Sequence, residues 1–151
     1  MRSFRLETAI AAPVGDCFEL SLSVDAHAAS MRAAGERAVG GVTSGVMGPG
    51  DTVTWQARHF GIVFRMTSAI TEYAYPSRFV DEQQAGPFRQ WWHEHTFAAA
   101  DGRTCMVDVV EFRSPLGLAG AMADRLVLGR YMPRLLRQRN AWLKAALEAR
   151  S

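Results

Sequence analysis

The sequence predicts an α+β fold: a curled antiparallel sheet of seven strands, two short helices between the first two strands, and one long C-terminal helix. Three observations predict it. Between Glu36 and Phe112, breaks recur at Gly40-Gly41, Gly45, Gly48-Pro49-Gly50, Gly61, Gly86-Pro87 and Asp101-Gly102. The runs between them are rich in Val, Thr, Phe, Trp and Ile, the pattern of successive hairpins. From Leu116 onward the apolar residues Met122, Leu126, Met132, Leu135, Leu136, Leu143 and Leu147 fall at three-to-four spacing, the period of a helix. A length of 151 residues, 48% apolar and 21% charged, suits a single domain over residues 1–151 with a core of its own.

Phe4 to Ala11 reads as the first strand. Ala12-Pro13 ends it, and Pro13 opens a short helix to about Ser23, whose face is Val14, Cys17, Phe18 and Leu22. Asp25 to Ala34 reads as a second short helix or an irregular turn. Strands follow near 36–43, 51–59, 62–73, 78–84, 89–98 and 103–113. The terminal helix runs from Leu116 to Arg150, with a kink expected at Gly129 or Pro133, because a proline inside a helix removes a hydrogen bond. Arg130, Arg134 and Arg137 read as its solvated face.

Composition excludes several classes. A formal net charge of +2 is too small to argue for nucleic acid, and no apolar run approaches the ~18 residues of a membrane span. The start, Met-Arg-Ser-Phe-Arg-Leu-Glu, carries no apolar targeting core. Cys17 and Cys105 form no spaced motif and read as free thiols, so a cytoplasmic location is expected.

Strand alternation sorts the central residues by face. With Phe97 opposite Thr104 across the Asp101-Gly102 turn, His95 faces Met106, His93 faces Asp108 and Trp91 faces Val110. With Gln84 opposite Gln90 across Gly86-Pro87, Gln83 faces Trp91 and Asp81 faces His93. One face therefore collects Phe79, Asp81, Gln83, Trp91, His93, His95, Phe97, Met106, Asp108, Val110 and Phe112, and it is taken as the inner one. The Gly61 hairpin adds Trp55, Phe64 and Met66, with Ile70 in phase. A line of Asp81, His93 and Asp108 on an otherwise apolar face must be hydrogen-bonded, since an unpartnered buried carboxylate is costly.

These residues carry a resemblance. Ala12-Pro13-Val14 before Phe18, then His59-Phe60-Gly61, Ile70-Thr71-Glu72, Arg78-Phe79-Val80-Asp81-Glu82-Gln83, Gly86-Pro87-Phe88 and His93-Glu94-His95-Thr96-Phe97 stand in the order of the SRPBCC (START and Bet v 1-like) domains. Gly102, Thr104, Asp108, Phe112 and Pro115 complete the series, which is most similar to the bacterial cyclase/dehydrase-like ligand-binding branch. The resemblance covers nearly the whole chain. It implies a helix-grip fold, in which the sheet wraps the long helix around a cavity, but not a defined chemistry.

Four readings of the inner face stand open. In the first, a hydrophobic or aromatic small molecule is bound by His95, Trp91, Phe97, Met106, Trp55, Met66, Phe79 and Gln83. In the second, a polyketide cyclase or dehydratase uses His93 as general base, oriented by Asp81 or Asp108, with His95 or the outward-phased Arg65 steadying negative charge. A third places a metal on His93, His95 and Asp108, although no metal and no cofactor is expected. In the fourth, the polar residues are a buried network that fixes register. No membrane partner is expected, no protein partner is indicated, and His27 and His59 read as surface or loop residues.

Overall fold

The computed structural model describes residues 1–150. Strand β1 (Arg2–Ile10) leads into helices α1 (Val14–Ser21) and α2 (Val24–Ser30) and a short 3-10 turn at Arg32–Ala34. Strands β2 (Arg37–Gly41), β3 (Thr52–His59), β4 (Ile62–Ala74), β5 (Arg78–Ala85), β6 (Gln90–Ala100) and β7 (Arg103–Arg113) follow. The chain ends in α3 (Gly117–Ala123), a π-helical segment (Asp124–Leu128) and α4 (Gly129–Glu148). All seven strands form one antiparallel sheet in the order β1-β7-β6-β5-β4-β3-β2.

Each expected strand is present within a few residues of its reading, and α1 and α2 occupy the place of the two short helices. The terminal helix differs. Pro133 sits inside α4 without ending it, and the irregularity lies just before, in the wider π-helical turn at Asp124–Leu128. There the N–H of Gly129 reaches back five residues to Asp124 O, before α4 continues.

The β6–β7 register also differs, and the cause is turn chemistry. Asp101 and Gly102 both have positive φ, 52° and 74°, so they are the two central residues of the tight turn and Ala100 pairs Arg103. Phe97 therefore faces Met106, His95 faces Asp108, His93 faces Val110 and Trp91 faces Phe112. The error is two residues, which changes every partner but keeps every face. Across β5–β6 the expected pair Asp81–His93 is observed, as is Trp55 opposite Met66 across β3–β4.

Between sheet and helices lie two apolar clusters. One joins Phe18 and Leu22 of the α1 region with Ile70, Phe97, Met106, Leu143 and Leu147. Phe18 is its anchor, with edge-on ring contacts to Tyr73, Tyr75, Phe79 and Phe97 at 5.1 to 5.4 Å. Full burial of such a ring stabilises by about 1.5–3 kcal/mol. The other joins Leu6, Trp91, Val110, Phe112 and Leu136. Between the clusters three elements each change from apolar to polar and back. On β6 the order is Trp91, His93, His95, Phe97; on β7 it is Val110, Asp108, Met106; on α4 it is Leu136, Arg139-Asn140, Leu143. A polar layer divides the core.

Candidate functional site

The layer is built from diagonals of the ladder. His93 Nε2 donates to Asp108 Oδ1 at 2.7 Å, and His95 Nε2 donates to Asp81 Oδ2 at 2.6 Å. Directly opposed partners are farther apart: His93 Nδ1 is 3.7 Å from Asp81 and His95 Nδ1 is 3.4 Å from Asp108. Diagonal residues of a twisted antiparallel pair are within reach of side chains as long as histidine. The two imidazoles stack, with centroids 3.7 Å apart and planes inclined by 23°. Phe79 stacks on the far side of His95 at 4.1 Å.

Helix α4 completes the layer with two residues the sequence reading did not single out. Asn140 Nδ2 donates to Asp108 Oδ2 at 2.7 Å, and Arg139 Nη1 donates to Asp108 Oδ1 at 3.3 Å and to Asn140 Oδ1 at 3.0 Å. Both are buried. Their signal was present: positions 132, 136, 139, 140, 143 and 147 form one helical face, and two polar residues interrupt that apolar stripe.

Electrostatics follow from this packing. Burial pushes the Asp108 carboxyl up, but the His93 hydrogen bond and the charges of His93 and Arg139 outweigh it and hold the group well below the usual carboxylate range. Asp81 follows the same logic: burial raises it, and His93 and His95 more than offset this, lowering it. For His95, burial dominates, aided by repulsion from His93, and pushes the ring down to about 4 despite the Asp81 hydrogen bond. His95 is thus neutral near pH 7, and its Nδ1 is the one buried side-chain nitrogen or oxygen without a hydrogen bond among the described residues.

Beside the layer opens a cavity of about 320 Å³. Its wall includes Trp55, Met66, Phe79, Trp91, Met132 and Leu136, with Asp81, His93, His95 and Arg139 as a polar end. Four of the expected site residues stand off that wall. Phe97 and Met106 are packed into the first apolar cluster. Asp108 lies behind His93, wholly buried. Gln83 clamps the β5–β6 turn, its side chain donating to Phe88 O at 2.6 Å and accepting from Phe88 N at 3.1 Å. Arg65 is exposed on the outer face, bonded to Gln56.

His27 and His59, read as surface or loop residues, both line the cavity. His27 pairs with Glu36 at 2.7 Å and lies against Trp55 at 4.4 Å. His59 Nδ1 and Tyr131 Oη are 2.6 Å apart, joining the β3–β4 turn to α4. Burial lowers His59 and raises Tyr131, so both are neutral and the hydroxyl donates to the ring. These pairs arise from chain crossings that no local pattern records.

Of the donors weighed for a metal, His93 and His95 stand together with Asp81 rather than Asp108, each offering one atom within 4.8 Å of the others. Asp108 is instead saturated by His93, Arg139 and Asn140. Nearly parallel stacked rings do not aim their in-plane lone pairs at one point, so the arrangement as it stands is a hydrogen-bonded network.

No family model matches the chain, and no characterised protein matches it in sequence. Solved structures do match in fold. The Zhui aromatase/cyclase from Streptomyces sp. R1128 superposes with a TM-score of 0.80 at 16% identity, over 99% of this chain and 94% of that one. A START superfamily protein from Mycobacterium smegmatis gives 0.72 at 11% identity, over 99% of both chains. Ginseng major latex-like protein 151 from Panax ginseng gives 0.69 at 12%, over 97% of both. With its seven-stranded antiparallel sheet, paired helices before β2 and long terminal helix, matched over nearly its whole length by these structures, the chain has the helix-grip fold of the SRPBCC (START and Bet v 1-like) proteins.

Proposed function

We propose that the chain binds a hydrophobic or aromatic small molecule in its cavity, with the molecule's polar group at the end formed by Asp81, His93, His95 and Arg139. The supporting observation is the cavity itself: about 320 Å³, walled by aromatic and aliphatic side chains and polar at one end. Mostly apolar pockets of about 300–1,000 Å³ with a few convergent polar groups are the usual form of small-molecule sites. The reading requires no cofactor and no partner chain, and free thiols suit a carrier working in the cytoplasm. Titration with N-phenyl-1-naphthylamine, a neutral fluorescent apolar probe, tests it. Saturable one-to-one binding is expected, weakened about tenfold or more by Ser68→Phe, which fills the cavity from a buried wall position. No saturable binding, or binding indifferent to that substitution, overturns the reading.

One observation favours a second reading, a cyclase or dehydratase. His93 gives its Nε2–H to a fixed carboxylate and stands on the cavity wall, the arrangement of a base oriented by an acid. If so, His93→Ala retains probe binding while abolishing turnover of a polyketide-like carbonyl substrate; equal loss of both rejects it. Arg65 has no part, since it lies on the outer face.

A further inference from the structure

Three unusual features coincide in the thirteen residues before α4. Leu116 adopts a left-handed backbone, φ 72°, which costs a leucine roughly 1–2 kcal/mol. The turn at Asp124–Leu128 is π-helical, a form that concentrates at functional positions. And Leu116, Leu118, Met122, Leu126 and Val127 are 81%, 86%, 61%, 65% and 47% exposed. Strained backbone and clustered apolar side chains in water persist where something other than folding retains them.

Charge identifies the occupant. Between Phe112 and Leu147 the one acid is Asp124, and it is buried, accepting from Ser114. The exposed charges on and beside the segment are arginines. Arg125 and Arg130 belong to it or follow it directly, and Arg113 precedes it. Arg89 is tied to Arg113 through the backbone, and the Arg2 guanidinium lies against Gly129. Leu118, Met122, Arg125 and Leu126 fall at i, i+4, i+7 and i+8, which sets one arginine within the apolar stripe and the others at its border. A second copy of this chain would bring like charges together, whereas an anionic lipid surface accepts both the leucines and the arginines. The segment also borders the cavity, whose wall includes Ser114, Leu128 and Tyr131.

We propose that Leu116–Val127 docks the protein, without spanning, on an anionic bilayer surface. No helix among the described residues is long and apolar enough to cross one. The proposal stands apart from the cavity reading, since it rests on the outside of the molecule.

Flotation of the full chain with phosphatidylcholine vesicles, against vesicles containing equal parts phosphatidylcholine and phosphatidylglycerol, tests it. Binding to the anionic vesicles is expected, at least about tenfold above the neutral ones and weakening with salt. The variant L118S/M122S/L126S alters only exposed side chains and should lose that binding while keeping its circular dichroism and its N-phenyl-1-naphthylamine titration. Absence of binding to anionic vesicles overturns the proposal, as does binding undiminished in the triple variant. Sedimentation velocity supplies the remaining outcome: a dimer that the triple substitution converts to monomer assigns the face to a second copy instead.

Discussion

His93 and Asp108 are hydrogen-bonded at 2.7 Å although they are not ladder partners: His93 lies opposite Val110, and Asp108 lies opposite His95. The contact exists because the β6–β7 turn is centred on Asp101-Gly102 and because Arg139 and Asn140 hold the carboxylate from the other side. Asp108 thereby accepts from three side chains of two elements. Asp108→Ala should cost about 3–5 kcal/mol, the range for breaking a buried charged network by removing one member. Asp81→Asn should cost much less, because Asp81 makes one such hydrogen bond and its side chain is 22% exposed. Urea denaturation of the two variants checks the ranking.

Acid should lower the protein's stability in two stages. The His95 ring titrates at about 4 when folded, below its ordinary 6.5, so the unfolded chain takes up that proton first. The resulting loss of stability begins as pH falls below 6.5 and is complete near 4, at most about 3 kcal/mol. Asp81 and Asp108, both held below the ordinary 3.8, stabilise fully above that value and lose their contribution as pH falls further. Urea midpoints at about pH 7, 5 and 4 should decline progressively, with a shallower decline in His95→Asn.

The two thiols should separate by reactivity. Cys17 is fully buried, and burial raises its thiol, whereas Cys105 is partly exposed. Iodoacetamide on the native protein should label Cys105 well before Cys17, which reacts only through unfolding. Peptide mapping by mass spectrometry distinguishes the two.

Tyr131→Phe should retain the ring packing against Phe60 and lose the hydrogen bond to His59. The expected cost is about 0.5–1.5 kcal/mol of stability. Since both residues stand on the cavity wall, the dissociation rate of N-phenyl-1-naphthylamine should rise, read by stopped-flow fluorescence.

The sheet was legible because its information is local. Glycine-centred turns mark the hairpins, and side-chain alternation assigns Asp81, His93, His95 and Asp108 to one face even when the turn is centred one residue early. Partners were less legible, since pairing depends on which turn residues take positive φ. Arg139 and Asn140 sat in view on the apolar stripe of α4, overlooked because arginines at 130, 134 and 137 define the same helix as solvated. The pairs His27–Glu36 and His59–Tyr131 depend on how distant segments cross, and periodicity carries no record of that.

The polar layer also sets where the terminal helix can stand. Apolar packing between helix and sheet has little sense of position along the axis, so a stripe of leucines alone would allow α4 to slip by a turn of about 5.4 Å. Asp108 admits one seating only, the one that brings Arg139 and Asn140 over it. A slip would leave a carboxylate facing leucine and a guanidinium facing Phe97 or Trp91. The layer acts as a detent on the helix, and through Met132, Leu136 and Arg139 it sets the dimensions of the chamber beside it.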